Sequence, residues 1–135
     1  MKTVTTVIFS FLLFISAFAQ KKEAFDKIEN ISGHFIDINS DFFQNCHLIV
    51  AQDGDSIFVA HYLEWKGTPM VEYGKGIREG DTITYDVVVT RAIPGWATTG
   101  THTLVLSEDR KTLAGQYSDA KGNTGPLKFK REEQE

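Results

Sequence analysis

The chain has little of what catalytic, metal-binding or disulfide-stabilised proteins usually contain. Its single cysteine, Cys46, excludes an intrachain disulfide, so its stability must come from a packed core. No G-x-S-x-G, Walker-loop or zincin pattern occurs. The histidines, at positions 34, 47, 61 and 102, lack the i,i+4 or Cys-x-x-Cys spacing of metal sites. The sequence therefore predicts neither a metal nor another cofactor.

An excess of basic charge and a second long apolar run are also missing. The net charge is −4 over 135 residues, which argues against nucleic acid because its recognition uses a basic stripe. Beyond residue 19 no apolar run is long enough to span a membrane. We therefore expect no nucleic-acid partner and no membrane span in the mature form. A small molecule or a basic protein remains compatible with this composition.

The first 19 residues have the pattern of a secretory signal peptide. Met1-Lys2 gives a positive start, and the chain from Val4 to Phe18 is mainly apolar. Ser16-Ala17-Phe18-Ala19 supplies the small-x-small pattern that signal peptidase recognises. A retained N-terminal anchor is the alternative. We expect cleavage after Ala19 and export to the periplasm or the extracellular space.

The remaining chain is predicted to form a short helical segment and one β domain. Residues 20–30 carry a narrow apolar stripe at helical spacing, whereas residues 31–131 alternate between apolar and polar side chains. Asp53-Gly54, between two apolar runs, is a strong hairpin signal. We predict an all-β fold, a single eight-stranded antiparallel up-and-down barrel. The predicted strands are Ile31–Asn39, Cys46–Ala51, Ser56–Trp65, Pro69–Ile77, Thr82–Arg91, Gly100–Ser107, Thr112–Ser118 and Gly125–Arg131.

Alternation along the later strands predicts which side chains face the barrel interior. Each of these strands has one apolar and one polar face, as a closed antiparallel sheet requires. In the strand Ser56–Trp65 both faces are apolar, so the orientation of His61 stays open. The predicted inward residues are Ile83, Tyr85, Val87, Val89, His102, Leu104, Leu106, Leu113, Gly115, Tyr117, Leu127 and Phe129.

Three short motifs resemble those of the calycin-type barrels, the lipocalin and avidin-like group. Residues 31–35 read Ile-Ser-Gly-His-Phe, a Gly-x-Phe where these families often have Gly-x-Trp. Leu113-Ala114-Gly115-Gln116-Tyr117 matches an avidin-like Leu-x-Gly-x-Tyr. The resemblance implies that a basic residue of the last strand, Lys130 or Arg131, packs over the first-strand aromatic ring and closes one end. Biotin binding is not implied, because the chain has only two tryptophans.

The predicted interior brings a few polar groups into an apolar setting, which is typical of a small-molecule site. The long connection around Trp96 is expected at the barrel mouth, where this ring either caps a cavity or plugs the end. A filled core with a satisfied Tyr/His network is the alternative for the interior residues. The candidate ligand-binding residues are Tyr85, Val87, His102, Leu104, Tyr117, Phe129, Trp96 and His61.

Three functions remain open from the sequence. The first is burial of a small, mainly apolar ligand inside the barrel, with Tyr and His groups orienting it. The second is a protein-binding module, such as an inhibitor of a basic exported enzyme, using loop aromatics. The third is a barrel lyase or isomerase that uses His102 or His61 with a carboxylate such as Asp86 or Glu64. Cys46 and His47 are neighbours in a strand and point to opposite faces, so they form no dyad.

Overall fold

The computed structural model describes residues 29–39 and 44–133. The predicted signal peptide lies outside these residues, as does the segment at residues 40–43. The predicted helical segment also lies outside them except for Glu29 and Asn30, which adopt no regular secondary structure. The barrel is a compact unit that begins at Ile31.

Eight antiparallel strands, each paired with the next and the last with the first, form a closed barrel. This arrangement confirms the all-β, eight-stranded antiparallel prediction, and the described residues contain no helix. No helix within them is long and apolar enough to cross a membrane. The strands are β1 Gly33–Asp37, β2 Gln44–Asp53, β3 Ser56–Trp65, β4 Thr68–Glu79, β5 Thr82–Val89, β6 Thr99–Leu106, β7 Thr112–Asp119 and β8 Thr124–Arg131.

The barrel interior is filled by alternate side chains, as the sequence predicts for β5, β6 and β8. Ile83, Leu104 and Phe129 are fully buried, whereas Val105 is half exposed on the outer face. In β3, whose orientation the sequence leaves open, His61 belongs to the buried set and Phe58 lies outside. Because neighbouring residues of a strand face opposite sides, the burial of His61 shows which face of β3 points into the barrel.

A basic side chain of β8 closes one end of the barrel. The Arg131 guanidinium lies 4.6 Å from the centre of the Phe35 ring and donates hydrogen bonds to the carbonyl oxygens of Ile31 and Ser32. Gly33 leaves the space that this guanidinium occupies, since a Cβ there would overlap it. Of the two basic residues that the resemblance names, Arg131 therefore has the predicted contact.

Sharp bending of the sheet depends on glycines at close approaches between strands. A Cβ built at Gly76 of β4 would overlap the backbone carbonyl oxygen of Thr84 in β5. Gly115 of β7 has the same relation to the carbonyl oxygen of Thr103 in β6. Closing an eight-stranded sheet needs such tight coiling, and glycine permits it at these positions.

The end opposite Arg131 carries the longest described connection, the loop at residues 90–98 that joins β5 to β6. The turns at residues 66–67 and 120–123 also lie there, since they join β3 to β4 and β7 to β8. Trp96 lies in the longest of these connections. This end of the barrel holds the site described next.

Candidate functional site

A cavity of about 360 Å³ lies at the end of the barrel opposite Arg131, beside the loop at residues 90–98. This volume falls within the range of small-molecule sites, about 300–1,000 Å³. Its polar floor comes from His61, Glu72 and His102, and its rim includes Asp37 and Asp119. The apolar and aromatic walls consist of Leu63, Trp65, Val87, Trp96, Ala97, Tyr117 and Leu127.

The β3–β4 hairpin places Glu72 directly opposite His61. Its two-residue turn, Lys66-Gly67, has φ angles of 50° and 75°, the positive values of a type I′ turn. That turn pairs Trp65 with Thr68, and counting outward from this pair sets His61 against Glu72. Both side chains are inward and buried, so a carboxylate and an imidazole face each other inside the barrel.

Three N–H-bearing rings surround the Glu72 carboxylate. Trp96 Nε1 donates a hydrogen bond to Glu72 Oε1 at 3.1 Å. His61 Nδ1 lies 3.5 Å from Glu72 Oε2, and His102 Nε2 lies 4.0 Å from the same oxygen. This concentration of donors is what a buried carboxylate needs, because an unpaired charge away from water is strongly disfavoured.

His102 links the carboxylate to a tyrosine deeper in the barrel. Its Nδ1 lies 3.2 Å from the Tyr85 hydroxyl, which is completely enclosed by the core. The two rings meet edge to face, with centroids 5.1 Å apart. Since Nε2 faces a carboxylate that only accepts, we assign the hydrogen to Nε2 and let the Tyr85 hydroxyl donate to Nδ1.

Burial and mutual interaction shift the pKa values of this group. Burial lowers the pKa of His102 to about 4, because the attraction of Glu72 offsets only part of the desolvation and His61 lowers it further. Burial acts to raise the pKa of Glu72, but the His61, His102 and Trp96 rings outweigh it and hold that pKa below its usual value. Burial and the Glu72 charge raise the pKa of Tyr85. At neutral pH the site therefore holds an ionised Glu72 and a neutral His102.

His61 differs from its neighbours because its polar atoms are not satisfied. Its side chain is 5% exposed, yet neither ring nitrogen has a hydrogen-bond partner in the described part of the chain. Although Nδ1 lies at ion-pair distance from Glu72, the geometry is not that of a hydrogen bond. Phe129 packs edge-on against the ring and provides no polar contact. Leaving a buried polar group without a hydrogen-bond partner costs about 1–3 kcal/mol in the free energy of folding.

Two tryptophans form the aromatic part of the mouth. The Trp65 and Trp96 rings lie 5.4 Å apart at their centroids, and both line the cavity. The Lys66 ammonium group lies 4.4 Å from the centre of the Trp65 ring. Because Trp96 also bonds to Glu72, this side chain ties the loop at residues 90–98 to the cavity floor.

The structure brings five of the eight sequence-predicted site residues to the cavity. They are His61, Val87, Trp96, His102 and Tyr117. The other three, Tyr85, Leu104 and Phe129, lie in the filled core below it, at no more than 1% exposure. Tyr85 still acts on the site through its hydrogen bond to His102.

Sequence reasoning missed Glu72, the only carboxylate that the described strands place in the interior next to histidines. A usable signal existed, since the Lys66-Gly67 hairpin turn gives the register that pairs it with His61. The two carboxylates considered from the sequence both lie on the outer face. Asp86 accepts a hydrogen bond from the Thr101 hydroxyl, and Glu64 accepts one from the Tyr62 hydroxyl.

Cys46 is buried near the same end, and burial raises the pKa of its thiol to about 11. It is therefore a small core group, on the face opposite to His47. Within the described residues, no group of three or more His, Cys, Asp or Glu side chains is arranged to hold a metal ion.

Comparison with known proteins finds no relative of this chain. No protein-family model, no curated protein and no solved structure matches the chain. The functional argument therefore rests on the site itself.

Proposed function

We propose that this protein binds a small, mainly apolar ligand in the cavity at the open end of the barrel. The apolar body of the ligand packs against Leu63, Val87 and Leu127, and its polar end meets His61 at the floor. Burial of apolar surface supplies affinity, and the polar contact fixes orientation. We further propose that the chain is a calycin-type barrel that is exported to the periplasm or the extracellular space.

The unsatisfied His61 ring is the observation that carries this proposal. Its two nitrogens are buried in a cavity wall with no hydrogen-bond partner in the described residues. Buried polar atoms in native proteins are nearly always paired, so a ligand group is the natural partner for this ring. The arrangement of Arg131 over Phe35 supports the calycin assignment, because it closes the opposite end as that resemblance implies.

The position of Trp96 favours interior binding over surface recognition. An inhibitor that anchors itself through this loop needs an exposed aromatic side chain. Trp96 instead packs on Trp65 and bonds to Glu72 inside the mouth.

The proposal is tested by titrating the protein with N-phenyl-1-naphthylamine, an uncharged apolar dye whose fluorescence rises in apolar cavities. The variant Leu127→Trp adds a ring to the cavity wall, and we expect it to weaken dye binding by ~tenfold or more. Val105→Trp is the matched control, since the same ring is added to the outer face of the same barrel, where Val105 is half exposed.

Equal dye affinities for wild type, Leu127→Trp and Val105→Trp would contradict binding in the cavity. Far-UV circular dichroism and a urea unfolding curve check that both variants are folded. If Leu127→Trp does not fold, Ala97→Phe tests the same space from the loop, because Ala97 also lines the cavity.

A second candidate function, an isomerase or lyase, is favoured by the pairing of His61 with Glu72. A buried carboxylate 3.5 Å from an imidazole can orient that ring as a general base. Incubating the purified ligand with the protein in deuterated water tests this role. Deuterium in a carbon-bound position, lost in His61→Phe, would support an enzyme, whereas an unlabelled ligand would leave binding as the function.

A further inference from the structure

We infer that the cavity selects ligands bearing a protonated amine over ligands bearing a carboxylate. The inference rests on the proposed binding function and concerns the polar end of the ligand. It follows from the charge of the cavity lining together with the hydrogen-bond character of His61.

The first observation is that the described lining holds acidic side chains but no lysine or arginine. Glu72, Asp37 and Asp119 contribute carboxylates, and no lysine or arginine is among the described residues that line the cavity. Asp37 and Asp119 lie at the rim, where solvent and hydrogen bonds within their turns weaken their effect. Glu72 is 7% exposed, so its charge acts in a low-dielectric setting and is the one that matters most.

Two of the groups that face Glu72, Trp96 and His102, do not cancel its charge. Trp96 donates from a neutral indole, and His102 is neutral at physiological pH because burial lowers its pKa to about 4. The Lys66 ammonium group lies over the Trp65 ring, and Lys66 is not among the residues that line the cavity. A ligand carboxylate entering the floor would therefore meet a buried carboxylate of the same sign, with no buried lysine or arginine to receive it.

His61 offers the second, independent observation. Its Nδ1 faces Glu72 Oε2, which can only accept, so we assign a hydrogen to Nδ1. In the tautomer with this single hydrogen, Nε2 carries a lone pair, and this nitrogen is buried at the cavity wall with no partner among the described residues. An ammonium group carries three donors and no acceptor, which suits this lone pair and the nearby carboxylate together.

The aromatic mouth adds a third feature with the same preference. Trp65, Trp96 and Tyr117 line the cavity, and aromatic faces attract cations through their quadrupoles. The Lys66 ammonium group already makes this contact at 4.4 Å from the Trp65 ring centre. The remaining aromatic faces of the mouth and the Glu72 carboxylate at the floor therefore both favour a ligand amine.

Three probes that share one aromatic ring test the inference: 2-phenylethylamine, 2-phenylethanol and 3-phenylpropionate. They carry positive, zero and negative charge at pH 7. Dissociation constants come from ¹H–¹⁵N NMR titrations of the full barrel, in which cavity residues report the site. We expect the amine to bind at least ~tenfold more tightly than the carboxylate, with the alcohol between them.

The variant Glu72→Gln removes the charge and keeps an oxygen that accepts from Trp96. We expect the preference for the amine to fall to about threefold or less while the alcohol binds as in wild type. Asp86→Asn is the matched control, because it removes one carboxylate from the outer face, and it should keep the full preference. If Glu72→Gln does not fold, the order of the three probes in the wild type alone decides the question.

Equal or tighter binding of 3-phenylpropionate would overturn the inference and leave the binding function intact, since the cavity would still take a ligand. A preference for the amine that survives in Glu72→Gln would overturn it too, because the charge would then come from elsewhere. If none of the three probes shifts a cavity resonance and the naphthylamine dye also fails to bind, the binding function itself is wrong.

Discussion

At the residue scale, the chemistry of this protein is concentrated in four inward side chains that contact one another. His61, Glu72, His102 and Tyr85 come from four adjacent strands, β3 to β6, and form a chain of contacts inside the barrel. Alternation along β5 and β6 predicts that His102 and Tyr85 face the interior, and both are buried there. It leaves the orientation of His61 open, because Phe58, Ala60 and Tyr62 make the outer face of β3 look equally apolar.

The buried, neutral His102 makes the protein sensitive to acid. Its pKa is about 4 in the folded state against 6.5 when unfolded, so between these pH values only the unfolded chain takes up the proton. Proton uptake by His102 in the unfolded chain should therefore lower the free energy of unfolding by roughly 3 kcal/mol as the pH drops from 6.5 to 4. The lowered pKa of Glu72 adds a further loss below its unfolded value of 4.5.

Urea unfolding curves at pH 7, 5.5 and 4 measure this effect. His102→Gln serves as the comparison, because it keeps a polar group near Tyr85 and cannot take up the proton. Its stability should fall less than that of the wild type over the same interval. Parallel pH profiles for the two proteins would show that the acid sensitivity belongs to other groups.

At the scale of the elements, most strands follow from the alternation and the turns. The prediction for β3, Ser56–Trp65, agrees with the structure at both ends. β4 extends beyond the predicted Pro69–Ile77 to Thr68–Glu79, and β1 is shorter than predicted. The differences lie at strand ends, where pairing with a neighbour rather than the local sequence decides whether a residue continues the ladder.

One side chain of β8, Arg131, closes the end of the barrel opposite the cavity. Arg131→Met removes the guanidinium that lies over Phe35 and donates to the carbonyl oxygens of Ile31 and Ser32. We expect a loss of roughly 2–3 kcal/mol in the free energy of unfolding, since these acceptors are left without this donor. Lys130→Met is the control, because Lys130 is exposed on the same strand, and it should change stability by less than about 0.5 kcal/mol. Equal losses in the two variants would mean that Arg131 does not close the end.

At the scale of the whole molecule, closure removes the free sheet edges, but the seam between β1 and β8 is short. β1 pairs with β8 through Phe35, Ile36 and Asp37, with one further backbone hydrogen bond at each end of this run, whereas β3 pairs with β4 along the whole of Ser56–Trp65. Local opening begins where few hydrogen bonds hold an element.

We therefore expect the amides of the β1–β8 seam to exchange with solvent sooner than those of the β3–β4 hairpin. Hydrogen–deuterium exchange followed by mass spectrometry or NMR at neutral pH measures the two regions in one experiment. The hairpin provides the internal control, since both regions belong to the same barrel. Equal protection would show that the barrel opens only as a unit.

The sequence by itself determined the all-β class, the number of strands and the side chains that fill the interior in β5, β6 and β8. These properties depend on period-two alternation and turn chemistry, which act over a few residues and can be read locally. The tertiary structure decided which face of β3 is buried, that Arg131 rather than Lys130 covers Phe35, and that Glu72 meets His61 and His102. Those contacts join residues far apart in the chain, and only closure of the sheet brings them within a few ångströms of one another.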